Sequence, residues 1–476
     1  MNRSIITTLF LLTALLTNAN AQDTHYWTQQ YGPKSSLLSG SDAATSRDNS
    51  AIYNNPGGLG FNTIPNLSIT TNAYSLSSSL FRDYAGKDLD MQSIQPNNIP
   101  LILSGVYKDK KHKRWTVGYA LIDKARYKFE GSQRFDGSLN ALSDDYSPGN
   151  EEFVSQLDLN NSLSEIWGGL TLSYRINDKI AIGLSEFGAY RERKYNYNFI
   201  ARTIANTGSL FQASTSNFLY NVDYLAVRII SKVGVSANLG KVNAGLAVTL
   251  PSINLYSEAT MDGDLTGTNV LIDPETGERG TFVANDRQDD LKARYKSSWS
   301  ISGGLSTSFR TTKIHMTGEY FCGISPYVYI QPQPKDFIRP KGLSLGSSRE
   351  LLSVSGGALP VFNIALGLEQ KLFKEYSLLL GARTDNSFFN PAADDIGNQL
   401  SFTSANLLHG SIGVMANRPK SDICVGVSAA YGKNKVLQAA NINQPTDGII
   451  LMGETTETEF RYYNIAVIIG YVHYIK

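Results

Sequence analysis

Basic residues on the polar side of apolar, strand-like segments are the groups in this chain with chemistry to offer. Between Asn217 and Asn238, Leu225, Val227, Ile229, Val233 and Val235 share one face by two-residue alternation. That places Arg228 and Lys232 on the opposite face. Arg294, Lys296 and Arg383 fall on the corresponding face of their own segments. A carboxylate ligand in a low-dielectric site needs such a cation. The alternative use is ion pairing with Glu165, Glu319 and Glu369, which alternate onto the same side. His25, His112, His315, His409 and His473 lack metal-ligand spacing and mark no haem site. His409 and Ser411 share a strand face, but that spacing is too common to signal a nucleophile and base. The Asp- and Gly-rich stretch from Asp262 to Asp290 reads as a solvated loop, with calcium binding the lesser alternative. The expectation is a protein that binds and passes a ligand, with no catalytic residues, metal or cofactor.

Those cations need elements to position them, and composition narrows the choice. The chain has 476 residues, 42% apolar and 18% charged, with a formal charge of +1. A charge so near zero gives no electrostatic reason to invoke nucleic acid. The 41 glycines and 26 tyrosines suit β-structure with aromatic girdles. Arg3, the apolar run Ile5 to Leu16 and the small residues of Ala19-Asn20-Ala21 read as a cleaved export signal over 1–21. No later stretch approaches the ~18 apolar residues of a membrane-crossing helix. An exported chain of this kind is either soluble or a β-barrel, because only helices and closed barrels satisfy the backbone inside lipid. Cys322 and Cys424 are too few for a disulfide framework and read as small buried or lumen residues.

From Asn66 onward alternation dominates. Leu291 to Arg310 reads as one sided strand of about 20 residues, far beyond the usual five or six. Val242 to Leu250, Phe362 to Glu369, Ile423 to Tyr431 and Tyr463 to Tyr471 repeat the pattern. Their second face is small or polar. A soluble sandwich packs its inner face with large apolar groups, so this inversion points to lipid outside and a wet lumen inside. Short turns fall at 109–112, 177–178, 240–241, 311–312, 374–375 and 419–420. Long links fall near 81–98, 132–160, 201–216, 261–290, 331–360, 391–402 and 436–457. Short turns at one end and long links at the other predict an all-β fold, an antiparallel transmembrane barrel of about fourteen strands.

One stretch fits neither strand nor helix. Asp48-Asn49-Ser50-Ala51-Ile52-Tyr53-Asn54-Asn55-Pro56-Gly57-Gly58-Leu59 carries a proline, adjacent glycines and apolar anchors that need enclosure. It resembles the N-terminal signature of the FadL-type outer-membrane transport family, which includes long-chain fatty acid and toluene transporters. Tyr26-Trp27 and Gly40 to Ala44 add to the likeness. Gly57 stands where the family has Ala, and Tyr474 precedes Ile475-Lys476 where such barrels end in an aromatic residue.

The resemblance implies residues 22–65 as a hatch inside a barrel formed by 66–476, with Asn55, Pro56, Gly57, Gly58 and Leu59 as the hatch motif. It also implies passive uptake of hydrophobic compounds, foremost long-chain fatty acids or aromatic hydrocarbons, by a monomer in the outer membrane of a diderm bacterium. Loops would capture the substrate, the lumen would bind it, hatch rearrangement would release it, and it would leave sideways through a gap in the wall. That gap is expected near Arg114 to Gly131, where alternation breaks. The competing expectation is a porin for small polar solutes, or a structural or adhesive barrel.

Overall fold

The computed structural model describes residues 24–108, 111–208, 212–335, 346–401 and 403–475. The expected export signal lies outside these. Two short helices, α1 (Pro33–Leu37) and α2 (Ala51–Asn54), and a 3-10 segment (Pro56–Phe61) precede the first strand. The strands then run β1 (Asn66–Phe81), β2 (Met91–Tyr107), β3 (Trp115–Leu139), β4 (Glu151–Arg175), β5 (Ile180–Ala205) and β6 (Gln212–Asn238). They continue with β7 (Val242–Thr249), β8 (Ile253–Asp273), β9 (Glu278–Leu291), β10 (Ser300–Phe309), β11 (Thr312–Phe321) and β12 (Ile324–Ile330). A helix, α3 (Ser348–Leu352), precedes β13 (Val354–Ala358), β14 (Val361–Lys371) and β15 (Tyr376–Asp385). The chain ends with β16 (Leu407–Asn417), β17 (Ser421–Leu437) and β18 (Glu457–Tyr474).

All ladders in the wall are antiparallel. Pairing of β1 with β18 and of β5 with β6 closes it, and fourteen strand positions complete the circuit. Closure leaves the sheet without a terminal edge strand that lipid could not solvate. The outward positions carry the apolar face. On β10, Phe309, Leu305, Ile301 and, just beyond it, Trp299 are exposed. On β18, Tyr471, Ile469, Ile465 and Tyr463 are exposed in the same way. Aromatic residues bracket an aliphatic band about ten residues long, the span of a tilted strand across hydrocarbon. The inward face holds serines, glycines and charged groups instead.

Two expectations change. The segment Leu291 to Arg310 is two strands, not one. β9 ends at Leu291, β10 starts at Ser300, and the side-chain parity slips between them. Leu291, Ala293 and Tyr295 turn inward or are buried, while Lys292, Arg294 and Lys296 are exposed. β7 and β8 are broken at the same level, across Pro251, so β7 pairs with β10 and β8 with β9. Between Thr249–Ser300 and Ala259–Leu291 only side-chain bonds bridge the described wall: Ser297 Oγ accepts from the Ser252 amide at 3.2 Å and Ser257 Oγ from the Ala293 amide at 3.1 Å. The second change concerns the links at 132–160, 201–216 and 261–290, which are largely strand. Strands β3 to β6, β8 and β9 extend far past the apolar band. Their inward residues Phe129, Phe153, Leu157, Phe199, Tyr220 and Phe282 form a second core there. The segment after β17 folds into it: Tyr197 donates to the Ala439 carbonyl at 3.0 Å, and Ser155 to that of Ile442 at 2.6 Å. A capped dome therefore covers the long-link end.

Candidate functional site

The chamber is built from its floor upward. Residues 24–65 pack inside the wall, and the wall is glycine-lined where they touch it. A Cβ on Gly183 would lie 2.3 Å from the Pro56 carbonyl oxygen, and one on Gly234 would lie 2.2 Å from Asn55 Oδ1. Asn55 is what that approach serves. Its Oδ1 accepts from the Gly57 amide at 3.1 Å and caps the 3-10 segment, where Pro56 needs no donor. Its Nδ2 donates to Val235 O on β6 at 3.0 Å and to Ala43 O at 3.2 Å. Gly57, Gly58 and Leu59 are buried, with Leu59 in a core with Ile52, Tyr31 and the inward residues of β2 and β3. Inside this segment Asp42 is fully enclosed, accepting from Ser35 at 2.7 Å; burial raises its pKa above the ordinary aspartate value.

Above the floor lies a cavity of about 460 Å³. Tyr53 and Tyr26 rise into it from below; Trp167, Phe187 and Tyr295 line its aromatic side. Arg191, Arg228, Lys232 and Lys124 line the same side. Glu165 sits between two of these cations: Arg191 Nη1 is 2.6 Å from one oxygen and Arg228 Nη2 2.7 Å from the other. Trp167 Nε1 donates to the same carboxylate at 2.6 Å. Tyr295 covers both guanidiniums, 4.1 Å and 4.9 Å from its ring centre. Lys232 differs. It is 6% exposed, its ammonium lies 4.8 Å over the Tyr53 ring, and no carboxylate pairs with it among the described residues. The opposite wall is hydroxyl and amide: Ser75, Ser77, Ser93, Gln95 and Asn97 from β1 and β2.

A seam in the wall adjoins this polar side. β2 pairs with β1 along its whole length, yet pairs with β3 only from Tyr107–Val117 to Ile102–Ile122. Higher up, the Glu130 amide donates to Ser93 Oγ at 3.2 Å and Gln133 bonds the Asp90 carbonyl. Two features of the sequence open the interval. Lys124 is an extra residue opposite β4, so side-chain parity inverts across it and the strand bends. Pro96 and Pro100 remove donors from β2, as in an edge strand. The seam lies within the stretch where alternation breaks, and Lys124, Ala125 and Tyr127 line the cavity beside it.

Arg228 and Lys232 thus reach one cavity, and Arg383 lines it as well. Arg383 is engaged with the floor, donating to Trp27 O at 3.0 Å and Thr28 O at 2.9 Å. Arg294 is not brought in: the parity slip before β10 turns it outside, and Tyr295 takes the inward place. Lys296 follows it outward. Glu319 and Glu369, weighed as ion-pair partners, serve the floor instead, accepting from Trp27 at 2.8 Å and lying 2.7 Å from Lys34. Ser411 donates to Leu37 O at 2.9 Å, and His409 lies 3.0 Å from Arg383. Cys424 is free and buried, with Sγ 3.2 Å from the Pro33 carbonyl oxygen. Sequence reasoning missed Lys124, Arg191, Trp167 and Tyr295. Lys124 and Arg191 sit beside breaks or on over-long strands where face assignment from alternation is ambiguous.

A closed fourteen-strand barrel with an N-terminal segment folded in its lumen and a lateral seam defines a FadL-type fold. Solved structures share it along nearly the whole chain. A Pseudomonas aeruginosa FadL homologue superposes with TM-score 0.59 at 11% identity, covering 94% of this chain and 99% of that one. The Pseudomonas putida toluene transporter TodX gives 0.57 at 13%, covering 94% and 99%. The Ralstonia pickettii toluene transporter TbuX gives 0.52 at 12%, with the same coverage. No family model matches the sequence, and no curated protein matches it either. At such identities the likeness is one of fold.

Proposed function

We propose that this chain is an outer-membrane channel for passive uptake of hydrophobic compounds, with long-chain fatty acids the leading substrates. The observation that carries the reading is a chamber stoppered by the N-terminal segment below and the dome above, with the seam between β2 and β3 at its side. An apolar chain gains about 25 cal/mol per Å² on leaving water, and a sideways exit spares it a return. Residues 22–65 act as the hatch. Lys232, the unpaired ammonium on Tyr53, takes the carboxylate of the ligand, while Arg228 and Arg191 stay committed to Glu165. Neighbours with this fold include toluene transporters, so aromatic hydrocarbons form the other substrate class. A porin would need a continuous aqueous path where the hatch and dome now sit.

The test is uptake of a labelled panel, fatty acids of several lengths and toluene, in deletion and complemented cells. Complementation restores fatty acid uptake. Lys232→Met weakens fatty acid binding roughly 10-fold or more, the value of one charge-assisted hydrogen bond, and leaves toluene unaffected. A large steady ohmic conductance in planar bilayers would overturn the plugged-channel reading.

A further inference from the structure

Lys292, Arg294 and Lys296 are exposed at alternate positions, immediately before the girdle residue Trp299. The parity slip that removed Arg294 from the chamber created this row. Its neighbours show what it faces. Across the gap in the wall, Ile253, Leu255 and Tyr256 are 62%, 61% and 51% exposed, the first two among the most exposed aliphatic side chains of the barrel. The bonds from Ser252 to Ser297 and from Ala293 to Ser257 fix these two stretches side by side. Lys292 Nζ lies 5.8 Å over the Tyr256 ring and Lys296 Nζ 4.4 Å over Tyr327. None of the three cations has a carboxylate partner among the described residues. On the same two stretches, Glu258 accepts from Tyr256 at 2.5 Å, Asp289 accepts from Thr260 at 3.0 Å and from Arg287 at 3.1 Å, and Asp290 is exposed.

We infer that this patch docks the phosphorylated head of an outer-leaflet glycolipid, a bisphosphorylated acylated disaccharide of the lipid A type. Three unpaired cations at the polar edge of the girdle complement phosphate. Alternate residues of extended chain stand roughly 6.7 Å apart, so the row spreads over roughly 13 Å, enough for two phosphates on one head. Ile253 and Leu255 carry the apolar surface on which acyl chains lie. The inference rests on the outer-membrane placement proposed above and not on the substrate.

The experiment uses the full-length protein in nanodiscs, its fold verified by a heat-modifiable gel shift, with lipid binding read by native mass spectrometry. The probes are lipid A, the same lipid stripped of both phosphates, and phosphatidylglycerol. Lipid A binds tightest, and K292Q/R294Q/K296Q weakens it at least 10-fold. R134Q/K194Q/R202Q, which removes exposed cations elsewhere, leaves it unchanged. Arg294→Gln alone gives an intermediate loss and serves if the triple variant fails to fold. Equal binding of the stripped lipid, equal binding of phosphatidylglycerol, or wild-type affinity in the cation variants overturns the inference. Fractionation of the native protein away from the outer membrane would instead defeat the placement beneath it.

Discussion

Glu165 holds the charge balance of the chamber. Two guanidiniums and an indole converge on it, and all four groups are buried. Removing one partner of a buried ion pair leaves an uncompensated charge, at a cost of about 3–5 kcal/mol. Glu165→Gln should therefore lower the unfolding midpoint of the folded barrel markedly, while Glu165→Gln with Arg228→Met recovers part of the loss. A midpoint unchanged in the single variant would mean that water or an anion already solvates the arginines. Asp394 offers a pH test in the link between β15 and β16. Burial lifts its carboxyl to about 7, and its Oδ1 has no hydrogen-bond partner. A carboxyl raised in the fold stabilises when protonated. Its contribution is full below the ordinary aspartate range and is lost as pH rises through about 7. Amide exchange across 391–399, corrected for its intrinsic base catalysis, should accelerate between about pH 4 and 7 and level off above, and Asp394→Asn should flatten the corrected profile. A variant with the wild-type profile would assign the effect to another group.

At the scale of elements, the N-terminal segment is held by close backbone approach to the wall together with apolar clusters around Leu59 and Leu37. Gly183 and Gly234 let the backbone of Pro56 and the amide of Asn55 reach the wall. Gly183→Val should push the motif out of place with the barrel still inserted, and Asn55→Ala with Pro56→Ala should do so more mildly. Faster proteolysis of residues 24–65 and unsteady conductance are the expected readings. Loss of the gel shift would show that the motif is needed for folding. The bulge at Lys124 is the other element with a defined consequence. Deleting Lys124 restores parity along β3 and lets its ladder with β2 continue past Ile122. Uptake of lipophilic substrate should fall several-fold with the barrel still inserted, and Lys124→Met, which loses the same bond to the Tyr26 carbonyl but keeps the bulge, should retain uptake. Undiminished uptake would rule out the seam as the route.

Over the whole molecule, the barrel divides into three levels. The N-terminal segment fills the lumen from the short-turn end to the middle of the apolar band, where it meets Gly304 and Gly413, the chamber lies above it at the level of Trp299, and the dome closes the far end. The dome explains why strands β4, β5 and β6 run to 25, 26 and 27 residues. Only part of each crosses lipid; the rest builds a second core. Composition concealed this, because the outward residues of the projecting strands are polar and read as loop. Asn160, Asn196, Asn221 and Asp262 are register partners across four strands, yet in sequence they look like solvated links. Ion pairs were legible as types of residue but not as partners: Glu165 pairs with Arg228 from 63 residues away.

The sequence by itself determined the barrel and its antiparallel order, and set the irregular N-terminal segment apart from the strands. Two-residue alternation with an apolar outer face leaves closure as the way to satisfy the backbone in lipid, and the Asn55-Pro56 turn could not join a ladder. Tertiary structure decided which cations face the chamber. Side-chain direction depends on parity, and parity is reset at each bulge or break by hydrogen bonds to strands distant in sequence. Arg228 and Lys232 lie on an unbroken strand, where alternation puts them inward, and both line the cavity. Arg294 lies beyond a break and is exposed outside the chamber.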